Sequence, residues 1–104
     1  MRIRWQSFID PAQHHDYFEL LQAQLQQSAG DGVSYDVVGI RPPDTELHRL
    51  SEARCGMRAV ANAIAADADG YDAFAIGHFQ DSGLHEARSA VQIPVLGLGE
   101  TGML

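Results

Sequence analysis

Ala73-Phe74-Ala75-Ile76 is an unbroken apolar run, closed on one side by the turn Asp69-Gly70 and on the other by Gly77-His78. A run that short, apolar at odd and even positions alike, fits a strand buried on both faces. Such a strand needs neighbouring strands and helices above and below it, which restricts the chain to α/β architectures. The rest of the sequence agrees. Apolar runs alternate with helical periodicity along its length, the pattern of successive βα units on a parallel sheet.

Arg2 to Phe8 reads as the first strand. Asp10-Pro11 follows as N-cap and first helical residue, because proline there gives up no needed N–H. Phe18, Leu21 and Leu25 recur at helical spacing, and Gly30 and Gly32 stop the helix. Val33 to Ile40 is a second strand, ended by Arg41-Pro42-Pro43-Asp44. From about Ser51 to Ala68 an alanine-rich helix carries one apolar stripe of Met57, Val60, Ala61, Ile64 and Ala65. Tyr71 to Gly77 is the third strand, and Asp81-Ser82-Gly83 starts a short helix to Val91. Ile93 to Leu98 is the fourth strand, and Gly99-Glu100-Thr101-Gly102 is a further helix start.

The expected fold is a single α/β lobe over residues 1–104, a flavodoxin-like three-layer sandwich on a four-stranded parallel sheet. A helix normally covers the fourth strand of such a sheet, and here only its start is present. The chain is therefore read as the amino-terminal lobe of a longer two-lobed protein, with a frayed tail as the alternative.

The formal charge is −7 with no basic cluster, which argues against nucleic acid and anionic membrane as partners. Met1-Arg2-Ile3-Arg4-Trp5 lacks the apolar stretch of a signal peptide, and no run approaches the roughly 18–20 residues of a membrane span. One cysteine, Cys55, permits no intrachain disulfide, so a reducing, cytoplasmic setting is expected.

In open parallel sheets ligands bind beyond the carboxyl ends of the strands. Four segments meet that condition: Ser7 to Asp10, Ile40 to Pro42, His78 to Asp81, and Gly99 to Thr101. The third is the richest, because a buried strand delivers an imidazole directly ahead of a helix start. A titratable base beside backbone donors is what proton abstraction next to a carboxylate or carbonyl requires. On position alone, a histidine that merely caps or packs a strand end is favoured. The other histidines are weaker candidates. His14 and His15 point about 100° apart on a helix and make a poor chelate. His48 and His85 have no companion at ligand spacing, so no metal is called for, and nothing calls for a cofactor.

Gly70-Tyr71-Asp72-Ala73-Phe74-Ala75-Ile76-Gly77-His78-Phe79-Gln80-Asp81-Ser82-Gly83-Leu84, with Ile93-Pro94-Val95-Leu96-Gly97-Leu98-Gly99-Glu100 after it, resembles the aspartate/glutamate/hydantoin racemase superfamily. In that pattern a G-x-D-A strand ends in a catalytic cysteine, followed by a D-P-G-L helix start and P-V-V-G-I-G-E-A. The likeness covers the last third of the chain closely and the rest by the order of its elements. It implies an isomerase in which two pseudo-symmetric lobes each place a thiol on one face of the substrate α-carbon. One thiolate removes a proton and the other thiol returns it. The substrate implied is a small carboxylate or cyclic amide.

His78 stands where that pattern has its first cysteine. Cys55 cannot replace it, since it falls within a helix pattern and reads as a small buried hydrophobe. The first-strand loop also departs from the family's N-P-N-T, reading Ser7-Phe8-Ile9-Asp10. The resemblance thus implies His78 as acid or base, with backbone N–H groups of Phe79, Gln80, Asp81, Ser82 and Gly83 holding the oxyanion. Ser7 and Asp10 are placed at the substrate carboxylate, and Glu100 and Thr101 beside it. Simple capping by Asp10 and Thr101 is at least as strong a reading. A histidine–cysteine pair, a one-base isomerase or lyase, and a non-catalytic relative all stay open. The isolated lobe is expected to be inactive, and to pair as a homodimer or with a missing C-terminal lobe.

Two readings from other classes compete. A receiver domain needs an acidic pair after its first strand and an aspartate ending its third, where this chain has Asp10 and His78. A flavodoxin needs a Ser/Thr/Gly-rich phosphate loop, which Ser7-Phe8-Ile9-Asp10 is not. A non-catalytic flavodoxin-like module that binds or self-assembles remains the alternative to an enzyme.

Overall fold

The computed structural model describes residues 1–8, 10–40, 49–78 and 81–102. Its elements alternate: β1 (Arg2–Gln6), α1 (His15–Ser28), β2 (Ser34–Val38), α2 (Arg49–Ala68), β3 (Ala73–Ile76), α3 (Leu84–Ala90), β4 (Val95–Gly97) and α4 (Leu98–Gly102). The four strands form one all-parallel sheet in the order β2-β1-β3-β4. This is the flavodoxin-like α/β arrangement expected from the sequence.

All four residues of β3 are buried, as the continuous apolar run requires. Phe74 and Ile76 point to one face, where Ala63, Ala66, Leu84, Ala87 and Val95 from α2, α3 and β4 close the main core. Ala73 and Ala75 point to the other, with Ile3, Trp5, Val33 and Tyr35 around them. The alanine content of α2 has a packing reason. Small side chains let its backbone approach the sheet closely.

Two local readings are corrected. The buried face of α2 is Gly56, Ala59, Ala63 and Ala66, whereas Met57, Ala61, Ile64 and Ala65 of the stripe read in the sequence are exposed. Small residues on the true core face left the larger Met57 and Ile64 to dominate the periodicity. The first helix begins at His15 rather than at Asp10-Pro11. Asp10 instead closes a turn: its carboxylate accepts the Ala12 N–H at 2.9 Å, and its carbonyl accepts those of Gln13 and His14, both at 3.1 Å. Among the described residues, no helix is long and apolar enough to cross a membrane.

Candidate functional site

The chain leaves β1 for β2 on one side of the sheet and reaches β3 on the other, so strand order reverses between β1 and β3. A crevice opens at such a switch point beyond the carboxyl ends of the two strands. Sheet pairing continues one residue past each strand here. The Ser7 N–H donates to the Val38 carbonyl and the Gly77 N–H to the Gln6 carbonyl, each at 2.8 Å. The next residues along are Phe8 and His78. Their rings meet edge to face, with centroids 5.3 Å apart and planes at 89°.

His78 is half-buried at this point. The glycine before it is needed because the Trp5 indole lies on the backbone there, and a Cβ at Gly77 would collide with Trp5 Nε1. Ser7 and Asp10 are both 5% exposed, so the loop after β1 brings its polar residues under the crevice rather than into solvent.

A buried polar pair lies beneath the crevice, and sequence reading missed it. Gln6 is fully buried; its amide donates to the Ser7 carbonyl at 2.6 Å and its Oε1 accepts from Asn62 Nδ2 at 2.7 Å. Gln6 continues the polar face of β1 after Arg2 and Arg4, opposite Ile3 and Trp5, which was its only sequence signal. A buried amide with its oxygen satisfied fixes the backbone that carries Ser7.

The loop after β3 is tied to the start of α4. Asp81 adopts φ +51°, the left-handed region that aspartate tolerates better than most residues. From there its carboxylate accepts the Gly99 N–H with Oδ1 and the Glu100 N–H with Oδ2, both at 2.8 Å. Its own N–H donates to the His78 carbonyl at 3.1 Å, and its carbonyl accepts the Leu84 N–H at 3.0 Å. Asp81 therefore holds the turn that starts at His78. Ser82 and Gly83, half-buried, follow it and lead into α3.

Glu100 makes a two-pronged pair with Arg88, at 2.6 and 3.1 Å, while Arg88 Nε also donates to the Val95 carbonyl at 3.1 Å. The hydrogen bonds from Arg88 hold the Glu100 carboxyl below the usual carboxylate range, and the same contact raises Arg88. Thr101 lies in α4, and Phe79 and Gln80 fall outside the described residues. The structure thus brings Ser7, Asp10, His78, Asp81, Ser82 and Gly83 to one end of the sheet.

The remaining candidates lie elsewhere. His14 and His15 are exposed, with His15 beside Glu19 at 2.9 Å. Cys55 is half-buried on α2 and does not end a strand. Among the described residues, no group of three or more His, Cys, Asp or Glu is arranged to hold a metal. An open groove of about 480 Å³ runs between α1 and β2, lined by Phe18, Gln22 and Val37 among others, away from the crevice.

An imidazole at a switch point, backed by an aromatic ring and flanked by turn amides, can exchange a proton with a ligand seated over the strand ends. Comparison with solved structures bears on the fold. The chain is similar to an allantoin racemase from Klebsiella pneumoniae, with a TM-score of 0.83 and 28% sequence identity over 99% of its residues. It spans 41% of the length of that chain. No protein-family profile matches the chain, and no curated protein matches it.

Proposed function

We infer that this chain, a member of the aspartate/glutamate/hydantoin racemase superfamily, is one half-site of an isomerase that moves a proton at a carbon beside a carboxylate or cyclic amide carbonyl. The observation that carries this reading is the position of His78. It ends the central buried strand at the switch point, with Phe8 against its ring and the Asp81 turn fixing its backbone. The allantoin racemase likeness supports the isomerase class through the fold.

Neutral His78 accepts the α-proton, and the electron pair left behind moves onto the adjoining carbonyl oxygen. Turn amides stabilise that oxyanion. The Asp81 amide is engaged with the His78 carbonyl, so the Ser82 and Gly83 amides take this part, together with Phe79 and Gln80. Ser7 positions the substrate carboxylate, Asp10 holds the turn that follows it, and Glu100 and Thr101 lie at the rim. Imidazolium at His78 can return the proton to the same face. Inversion needs a donor on the opposite face, which a second lobe or partner chain supplies.

The isolated lobe, expected to be inactive in inversion, is tested for the single-face step alone. In D2O, a substrate such as allantoin or a hydantoin is expected to exchange its α-hydrogen without inversion. His78→Gln lowers that exchange at least about a hundredfold, the usual scale for a general acid–base. The same ligand perturbs the amide signals of Ser7, Phe8 and Asp81 to Gly83. Exchange unaffected by the substitution removes His78 from the chemistry, and shifts confined to the α1–β2 edge move the site elsewhere.

A further inference from the structure

Successive residues of β1 turn their backbone groups to alternate neighbours in the sheet. The Gln6 carbonyl faces β3 and accepts the Gly77 N–H, whereas the Ser7 N–H faces β2 and donates to the Val38 carbonyl, each at 2.8 Å. The next amide, that of Phe8, therefore turns back to the β3 side, where the strands have parted and the crevice opens. The buried pair beneath fixes this direction. Gln6 Nε2 reaches two carbonyls on the β2 side, Ser7 at 2.6 Å and Gly39 at 3.5 Å, while Asn62 holds its Oε1. In a trans peptide the N–H lies opposite the C=O, so holding the Ser7 carbonyl toward Gln6 and Gly39 aims the Phe8 N–H away from them. The Phe8 ring meets His78 on that side. Neither this N–H nor the Ser7 hydroxyl has a hydrogen-bond partner among the described residues. No unpartnered side-chain oxygen is sealed from solvent among those residues, so the Ser7 hydroxyl, on a residue 5% exposed, keeps an opening at the strand end. Two donors thus stand unused at the edge of the crevice. In the N-P-N-T pattern a proline stands at the place of Phe8 and offers no N–H.

We propose that the Phe8 N–H, aimed by the Gln6–Asn62 pair, is a ligand donor of the crevice and binds, with the Ser7 hydroxyl, an acceptor oxygen of the substrate. That oxygen belongs to a carboxylate or to a ring carbonyl. The inference rests on the reading that the crevice is the substrate site. Gln6 and Asn62 are positioning residues, since they hold the Ser7 and Gly39 carbonyls and do not reach the ligand. Stability alone does not call for them, because two apolar side chains packed in their place would be about as stable. What the amides add is direction.

The test is titration of the full chain with hydantoin and, separately, with malonate, followed through amide NMR signals. The Phe8 N–H is expected to show the largest downfield shift. A shift with hydantoin alone identifies a ring carbonyl as the acceptor, and one with malonate alone a carboxylate. Phe8→Pro removes the N–H, whereas Phe8→Leu removes the ring and keeps it. The proline variant is expected to bind at least about tenfold more weakly than the leucine variant, the scale of one hydrogen bond to a charged acceptor. Circular dichroism checks that both fold, and if the proline variant does not, the Phe8 shift decides. Gln6→Leu combined with Asn62→Leu is expected to keep the melting temperature and lose affinity to a similar degree. A Phe8 amide unmoved by both ligands, or equal affinity of the proline and leucine variants, overturns the proposal. A double-leucine variant that binds like the wild type overturns the positioning role of the pair. Exchange of the substrate α-hydrogen separates this inference from the role of His78. Exchange without a Phe8 shift counts against Phe8 alone, and a Phe8 shift without exchange counts against His78 alone.

Discussion

Asp81 reaches from the turn after β3 to Gly99 at the start of α4 and holds its backbone N–H at 2.8 Å. The other carboxylate oxygen holds the Glu100 N–H, so one side chain joins the loop after β3 to the first turn of α4. The clasp also explains Gly97, where a Cβ would meet Asp81 Oδ1 at 2.5 Å. Asp81→Ala leaves two amides without their acceptor and is expected to cost about 1–3 kcal/mol in denaturant unfolding. Asp81→Asn keeps one carbonyl acceptor and tolerance of the left-handed backbone, so its loss falls between wild type and alanine. Faster hydrogen exchange at Gly99 and Glu100 accompanies both. Equal stability of all three proteins would mean that the clasp contributes nothing.

Gly77 and Trp5 give a second, optically visible test. Trp5 is the chain's one tryptophan, and its indole occupies the place of a Gly77 side chain. Gly77→Ala forces the ring or the end of β3 to move, an overpacking cost of about 1–3 kcal/mol. The fluorescence maximum shifts with it. Replacing the indole relieves the collision, so Trp5→Leu combined with Gly77→Ala costs less than the sum of the single changes. Additive costs would place the two residues out of contact.

Much of this arrangement was legible in the sequence, for identifiable reasons. Ala73 to Ile76 announces a strand covered on both faces, and the Gly77-His78 ending places the imidazole at its carboxyl end. What escaped was whatever depends on partners far away in the chain. Gln6 and Asn62 are 56 positions apart, and nothing local marks either as half of a buried pair. Asp10 and Asp81 both look like helix caps, since aspartate ahead of a helical pattern is the usual cap signal. Asp10 instead closes a turn short of α1, and Asp81 serves a helix that starts much later. The face of α2 was misread because periodicity weights large residues, and the buried side uses glycine and alanine. The site's polar loops depend on tertiary pairing, so residue type alone could not assign them.

Arg88 and Glu100 make a prediction about pH. The Glu100 carboxyl is held below its ordinary range by hydrogen bonds from Arg88. A carboxylate with a depressed folded-state pKa adds stability above its unfolded pKa of about 4.3, and the gain disappears as pH falls through the folded value. Glu100→Gln is therefore expected to lower the melting temperature slightly at neutral pH, because the pair is exposed. The two melting curves converge as the solution is made acidic. A difference that persists below pH ~2 would reflect packing rather than charge.

The outer edge of β2 carries the last test. This strand ends the sheet, and its outward backbone groups offer a template for another chain. They are covered by two glutamines one turn apart on α1. Gln22 donates to the Tyr35 carbonyl and accepts from the Val37 N–H at 3.0 Å. Gln26 donates to the Val33 carbonyl at 3.1 Å and accepts from the Tyr35 N–H at 3.3 Å. Four bonds from two side chains thus reproduce what a fifth strand would supply. Substituting both with leucine keeps their bulk and removes every donor and acceptor. The edge is then open, and light scattering at raised concentration is expected to report progressive association. Gln24→Leu combined with Gln27→Leu adds the same apolar surface at exposed positions of the same helix and leaves the ladder intact. If both double variants associate equally, added hydrophobicity is the cause and the glutamines are not edge guards. If only the Gln22/Gln26 variant associates, the side-chain ladder is what keeps this sheet from growing.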